Sequence, residues 1–231
     1  MGTRERQDRE RQAVRDAILD AARDLFIAEG YASVSIRKVA ERIEYSPAAI
    51  YSYFASKDDI FLALAAEGFH RLDQKVKAAM THPDALDNVR ACWWAFYEFS
   101  QEQPAYFELM FVDRSVPRIT QQWEGFEVLQ QMLTDAVGSI QSAIDAGAFP
   151  PTLNPNAAMH MLWASLIGPA VVGIRHRLAS GEDYDALARD VLNATIAGMQ
   201  AGVTTTFVSC KCPEEGIAGV PVPAGVRSHE S

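Results

Sequence analysis

The chain has 231 residues, 48% of them hydrophobic and 22% charged, with a formal net charge of −9 at pH 7. That is ample apolar material for one large or two small cores. Three cysteines offer no paired disulfide framework, the charged N-terminus is followed by no apolar stretch of a secretory signal, and the longest apolar run is interrupted, so neither a secreted nor a membrane-spanning protein is expected, and the expected compartment is the cytoplasm.

The first periodic segment, AVRDAILDAARDLFIAEG, sets Ala17, Ile18, Ala21, Ala22, Leu25 and Phe26 on one helical face and stops at Gly30. Next, Ile36, Val39, Ala40 and Ile43 form an apolar stripe at i, i+3, i+4 and i+7, with Ser35 ahead of it as an N-cap. After a tight break, Ser46-Pro47 starts a second short helix, because proline is tolerated where its missing N–H is not needed. Ile50 and Phe54 point this helix inward, while Tyr51, Ser52 and Tyr53 lie nearer the outside. Two helices so short must brace each other. Their arrangement predicts a helix-turn-helix, whose second helix is presented to the major groove of DNA.

Ser56 caps a longer helix over about 56–80, with Asp58 and Asp59 at its positive end. THPDAL marks a break at 81–86. LDNVRACWWAFYEFSQEQ predicts a helix ending before Pro104, and PAYFELMFVD a short one ending near Asp113. Further helices are expected over about 118–147 (stopping at Gly147), 155–179 (started by Asn154 and Pro155) and 183–202. The apolar run MLWASLIGPAVVGI, inside the 155–179 helix, is broken by Ser165, Gly168 and Pro169, so it is expected to be too short to cross a bilayer. No strand pattern occurs before residue 203. The tail, rich in Pro, Gly and Ser, is expected to be mostly disordered. The fold class is therefore all-α, with about nine helices. Residues 1–55 form a small three-helix domain, residues 56–203 a six-helix bundle, and residues 204–231 a tail.

The charge is unevenly distributed. Residues 1–60 carry 10 Lys+Arg against 11 Asp+Glu, whereas residues 61–231 carry 11 against 19. The acidity belongs mostly to the bundle, which need not touch nucleic acid.

The string from the first helix through Arg37, Val39-Ala40, Ser46-Pro47, Ile50-Tyr51, Tyr53-Phe54 and Ser56-Lys57-Asp58 resembles the TetR family of bacterial transcriptional regulators, over roughly residues 10–65. It departs from that pattern at Glu44, in a turn position the family usually fills with glycine. The resemblance implies a homodimer that reads double-stranded DNA at a two-fold operator. Ser35, Arg37, Pro47, Ala48, Ala49, Tyr51, Ser52, Tyr53 and Lys57 would be its DNA-contacting residues, with Arg37 reaching a base edge or phosphate and Lys57 a backbone phosphate. Ala48 and Ala49 offer only methyl contacts, so sequence discrimination would rest on Arg37, backbone geometry and DNA shape.

The segment CWWAFYEFSQEQPAYFELMF with LWASLIG resembles a subgroup of TetR C-terminal domains, although Ile167 stands where that subgroup often has histidine. By this resemblance the bundle encloses a site for a small-molecule effector. Trp94, Tyr97, Met110, Trp123, Phe126, His160, Trp163 and Ser165 are its candidate lining, and Arg175 a further polar candidate. Small residues at Ala164, Gly168, Gly173, Ala194, Ala197, Gly198 and Ala201 suit close helix approach, and by the same resemblance the last two helices form the dimer interface.

No nucleophile elbow or glycine-rich phosphate loop is present, so neither an enzyme nor a cofactor is expected. Cys210, Cys212 and His229 make too thin a ligand set to predict a metal. The reading is a ligand-responsive repressor. An activator or co-repressed regulator of the same fold, and a helical small-molecule-binding protein that no longer reads DNA, are the alternatives.

Overall fold

A computed structural model describes residues 3–113, 115–116, 126–174, 181–203 and 205. It is all-helical, with no strand among the described residues. Helix α1 covers Thr3–Glu29, α2 Ile36–Arg42 and α3 Pro47–Tyr51. The bundle follows as α4 (Lys57–Ala79), α5 (Ala85–Glu102), α6 (Pro104–Phe107), α7 (Glu127–Asp145), α8 (Pro155–Ile174) and α9 (Tyr184–Gln200). The predicted helix over 118–147 is described from Glu127 onward, and that over 155–179 as far as Ile174. Residues 117–125 and 175–180, with Trp123 and Arg175, lie outside the described residues, as does the tail apart from Thr205.

Local chemistry sets the boundaries. Ser35, Ser46 and Ser56 cap α2, α3 and α4 by accepting the N–H of Lys38, Ala49 and Asp59 respectively. Asp84 and Asp183 do the same for α5 and α9. Helix α1 stops at Gly30 (φ 74°) and α7 ends ahead of Gly147 (φ 78°), both in the left-handed region that glycine adopts without steric cost.

Helix α5 is the axle of the bundle, in contact with α4, α6, α7, α8 and α9. Val89, Cys92, Trp93, Phe96, Tyr97 and Phe99 are all buried on it, more than one face's worth, as befits a helix surrounded by others. After α6 the chain widens into a π turn over Glu108–Val112, which brings Phe111 against Phe96 and Phe107. The shorter helix predicted over this region thus divides into two pieces.

Helix α8 corrects the sequence reading in one respect. It runs unbroken through Ser165, Gly168 and Pro169 for 20 residues, and by length and composition alone it is apolar enough to cross a membrane. Its inner residues Leu162, Leu166 and Ala170 are instead buried in the bundle, where the helix packs on α5, α7 and α9.

The small domain joins the bundle mainly through α1 against α4. Ile18, Ala22 and Phe26 of α1 share one core with Ile60, Phe61 and Leu64 of α4. Arg23 of α1 also donates to the Tyr106 hydroxyl of α6 at 3.0 Å. Where α4 passes under the π turn the residue is Gly68, and a Cβ there would lie 2.4 Å from the Met110 sulfur.

Candidate DNA-reading surface and bundle cavity

Helices α2 and α3 pack on each other, with Val39, Ala40 and Ile50 buried between them and α1. Five residues are too few for an independent helix. α3 is held by Ser46, whose Oγ accepts from Ala49 N–H at 3.1 Å, and by Ile50 in the core. Its outward positions are thereby fixed: Pro47, Ala48 and Ser52 are exposed, and Tyr51 is 56% exposed. Ser35 and Arg37 at the start of α2 are exposed as well, and Arg37 makes no hydrogen bond or ion pair to another described residue.

Three of the sequence candidates are placed differently. Ala49 is half-buried, its N–H spent on the cap. Tyr53 is half-buried, with the Arg11 guanidinium 5.2 Å above its ring and donating to the Ser52 carbonyl at 3.3 Å. Lys57 is half-buried too: its ammonium donates to the Tyr31 carbonyl at 3.0 Å and lies 3.8 Å from that ring's centre. Tyr31 in turn donates to Asp58, and burial together with that carboxylate pushes its phenol well above the usual range. The start of α4 is therefore tied to the end of α1. The contacts of Arg11 with Tyr53 and of Tyr31 with Lys57 were not foreseen from the sequence, because both act across 26 residues or more, where helical spacing carries no signal.

The turn between α2 and α3 is a Schellman motif. Tyr45 N–H bonds to the Ala40 carbonyl at 2.9 Å and Glu44 N–H to the Glu41 carbonyl at 3.3 Å. Glu44 sits at the position that requires the left-handed conformation, with φ 59°, and no other non-glycine described residue has positive φ. Its side chain is exposed. The exposed Tyr45 beside it was not singled out from the sequence.

A half-open cavity of about 170 Å³ lies between α4, α5, α7 and α8, with Phe111 also on its wall. Its walls are apolar: Leu72 and Val76 from α4, Trp93 and Phe96 from α5, Leu129 and Met132 from α7, Met159 and Trp163 from α8. Asp73, Lys77, Asp135 and His160 supply the charged and titratable groups. The Lys77 ammonium bridges α4 and α7, 2.9 Å from Asp73 and 3.9 Å from Asp135. His160 Nδ1 lies 2.8 Å from the Asn156 carbonyl, which places its proton on that nitrogen. Burial, and secondarily the Asp135 charge, push the Cys92 thiol on the cavity wall up to about 12.

Of the predicted lining, His160 and Trp163 border this cavity. Trp94 turns away, its indole donating to Glu98 at 2.8 Å and its ring 4.0 Å beneath the Arg189 guanidinium. Tyr97 is buried and donates to Asp185 of α9 at 2.8 Å. Met110 fills the space beside Gly68, and Phe126 packs tilted against Phe69, ring centroids 4.9 Å apart. Ser165 donates to the Leu162 carbonyl of its own helix at 2.8 Å. The remaining lining residues were missed, Cys92, Trp93 and Phe96 of α5 among them. The i, i+3, i+4 spacing from Val89 identified that face, but not what it faces.

On the outer side of α8 and α9, Ala164, Gly168, Ala194, Ala197 and Ala201 are exposed, and Trp163 is 37% exposed. Gly173 belongs to the interior instead, where a Cβ would meet the Gln101 side chain at 3.1 Å.

Comparison with known proteins agrees with this architecture. Residues 18–64 match the family described as bacterial regulatory proteins, tetR family, and residues 89–195 match the tetracyclin repressor-like C-terminal domain. The chain is 27% identical over 198 residues to the HTH-type transcriptional repressor AcnR of Corynebacterium diphtheriae, covering 80% of this chain and 93% of that one. It is 29% identical over 126 residues to the HTH-type transcriptional activator FasR of Mycolicibacterium smegmatis, covering 53% and 56%. The regulator FadR of Bacillus subtilis, solved in complex with stearoyl-CoA, superposes with a TM-score of 0.67 at 19% identity, over 79% of this chain and 97% of that one.

Proposed function

Because the chain belongs to the TetR family of bacterial transcriptional regulators, we propose that it is a repressor which binds a two-fold operator as a homodimer and is released by a small-molecule effector. The observation that carries this reading is α3, a five-residue helix capped by Ser46 and anchored by Ile50 so that Pro47, Ala48, Tyr51 and Ser52 face outward. A helix held so rigidly with its polar and small side chains exposed is suited to enter a major groove. Arg37, with no intramolecular partner among the described residues, is the side chain available for a bidentate base contact or a phosphate. Ser35, Ala49, Tyr53 and Lys57 support this surface, Lys57 by fixing the start of α4.

One reading head per chain requires a partner for a two-fold site, with heads about 34–36 Å apart. The exposed small residues of α8 and α9 supply a smooth face for that pairing, and they account for the apolar exterior of α8 without a membrane. The functional units we assign are residues 1–55 for DNA reading and 56–203 for effector binding and dimerisation, acting in the cytoplasm.

Helix α4 links the two. Its first turn is bound to Tyr31 of the reading head, and its last turns line the cavity. At about 1.5 Å per residue it carries a tilt at the cavity over its 23 residues to the head. An effector that binds better to the displaced arrangement lowers operator affinity by that difference.

The test is a gel shift with the DNA upstream of the chain's own gene. The wild type should bind with a steep salt dependence, falling by a slope of about −0.9 per phosphate neutralised. Arg37→Ala and Tyr51→Ala should each weaken binding at unchanged stability. Absence of sequence-preferring binding by a folded dimer would overturn the proposal. The relative named as an activator supports a second reading. An effector that tightens operator binding would select it.

A further inference from the structure

We propose that the bundle cavity takes a compact, uncharged, mostly apolar molecule bearing one hydrogen-bond acceptor, and that the indole N–H of Trp93 is the donor that selects it. The inference rests on the effector reading above and narrows it to a ligand class.

Size comes first. At about 170 Å³, the cavity is close to the engineered ~150 Å³ cavity that holds a benzene molecule, and small beside the ~300–1,000 Å³ of drug-sized sites. A single ring with a short substituent fits these walls.

Charge comes second. The cavity is bordered by two carboxylates, Asp73 and Asp135, and one ammonium, Lys77, which both carboxylates already share. His160 holds its Nδ1 proton on its own helix's carbonyl. An anionic head group entering here meets a surplus of negative charge and no uncommitted ammonium, so it is disfavoured both by repulsion and by lost hydration.

The donor comes third. Trp93 is 5% exposed, and its Nε1 is the buried side-chain polar atom without a hydrogen-bond partner among the described residues. The other buried polar side chains are satisfied: Ser100 Oγ donates to the Tyr97 carbonyl, and Ser139 Oγ to that of Ala136. The neighbouring Trp94 donates to Glu98. A buried indole donor left unpaired is costly, and cavity-lining residues are where such a cost has a use. Nε1 is covered by packing in this conformation; for an acceptor to reach it, the Trp93 ring has to turn toward the cavity. A ligand carbonyl then relieves the orphaned donor, which an apolar molecule of the same shape does not.

Three probes matched in size separate these terms: acetophenone, with a neutral acceptor; cumene, with none; and benzoate, an anion. Affinities for the full-length dimer are measured by calorimetry at pH 7.5, for wild type and Trp93→Phe. Wild type should bind acetophenone and cumene, with benzoate at least about tenfold weaker than acetophenone. Trp93→Phe should reduce the acetophenone-to-cumene preference by about two- to tenfold, the span of one neutral hydrogen bond. Comparing the two ligands cancels the change in cavity shape. Should Trp93→Phe fail to fold, wild-type indole N–H proton resonances decide: acetophenone should shift one of them downfield and cumene should not. Benzoate binding equal to acetophenone, an unchanged preference in the folded variant, the absence of the shift, or no binding by any probe each overturns the proposal. A gel shift on the same preparation keeps the two readings apart. Operator binding without probe binding overturns only the ligand class, and probe binding without operator binding overturns only the repressor.

Discussion

Replacing Glu44 by glycine should stabilise the reading head. Glu44 occupies the left-handed position of the Schellman turn at φ 59°, where a residue with a Cβ is strained by roughly 1–2 kcal/mol. Glycine removes that strain but restores freedom to the unfolded chain, worth about 0.4–1 kcal/mol in the opposite direction. The exposed Glu44 side chain makes no hydrogen bond to another described residue that the substitution would forfeit, so the balance is a gain of about 0.5–1 kcal/mol. Urea denaturation followed by circular dichroism measures it as a rise in midpoint at constant m. Removing the carboxylate from the turn that leads into α3 should also strengthen DNA binding. Glu44→Gln separates the two effects, since it removes the charge and keeps the Cβ. It should improve DNA affinity at low salt while leaving stability within about 0.5 kcal/mol of wild type. A glycine variant no more stable than the glutamine variant would refute the assignment of strain to this turn.

Ser46→Ala removes the side-chain acceptor of the Ala49 N–H, leaving it the Ser46 carbonyl at 3.0 Å, and should cost about 1 kcal/mol, read as a lower urea midpoint, with a larger proportional loss of operator affinity because α3 has only five residues. Gly68→Ala gains about 1 kcal/mol of helix propensity. Its Cβ would nevertheless lie 2.4 Å from the buried Met110 sulfur and 3.0 Å from the Tyr106 ring, so overpacking of about 1–3 kcal/mol should win and leave a net loss; a rise in thermal midpoint would show that the π turn yields. Cys92 should resist alkylation at pH 8 in the folded protein and react on unfolding, as mapped by peptide mass spectrometry, because its thiol is raised from 9.0 to about 12. The unfolded thiol ionises near pH 9 while the folded one stays protonated, so the Cys92 contribution is complete below pH 9 and is lost as pH rises toward 12. Cys92→Ala should flatten that part of the pH profile.

Much of the reading head was legible because its signals are local. Ser35, Ser46 and Ser56 cap their helices through atoms three residues away, and Glu44 announces its turn by occupying a glycine position. The core face of α5 was legible for the same reason. What that face encloses was not. Trp93 and Trp94 are consecutive, so about 100° of helix rotation separates them. That rotation puts Trp93 at the cavity with a donor that has no partner among the described residues, and Trp94 outside against Arg189 and Glu98. Gly168 and Gly173 look alike in the sequence, yet one is exposed and the other sits against Gln101.

By itself, then, the sequence determined the all-helical class, the caps and stops of most of its helices and the outward placing of Pro47, Ala48, Tyr51 and Ser52, because each depends on chemistry within a turn or two of chain. Only the tertiary structure decided which aromatic residues border the cavity, that Lys57 is committed to Tyr31, and that Lys77 bridges Asp73 and Asp135. Those outcomes depend on the rotation and offset of helices distant in the chain. Such quantities are set by the packing of the whole core, and no short stretch of residues encodes them.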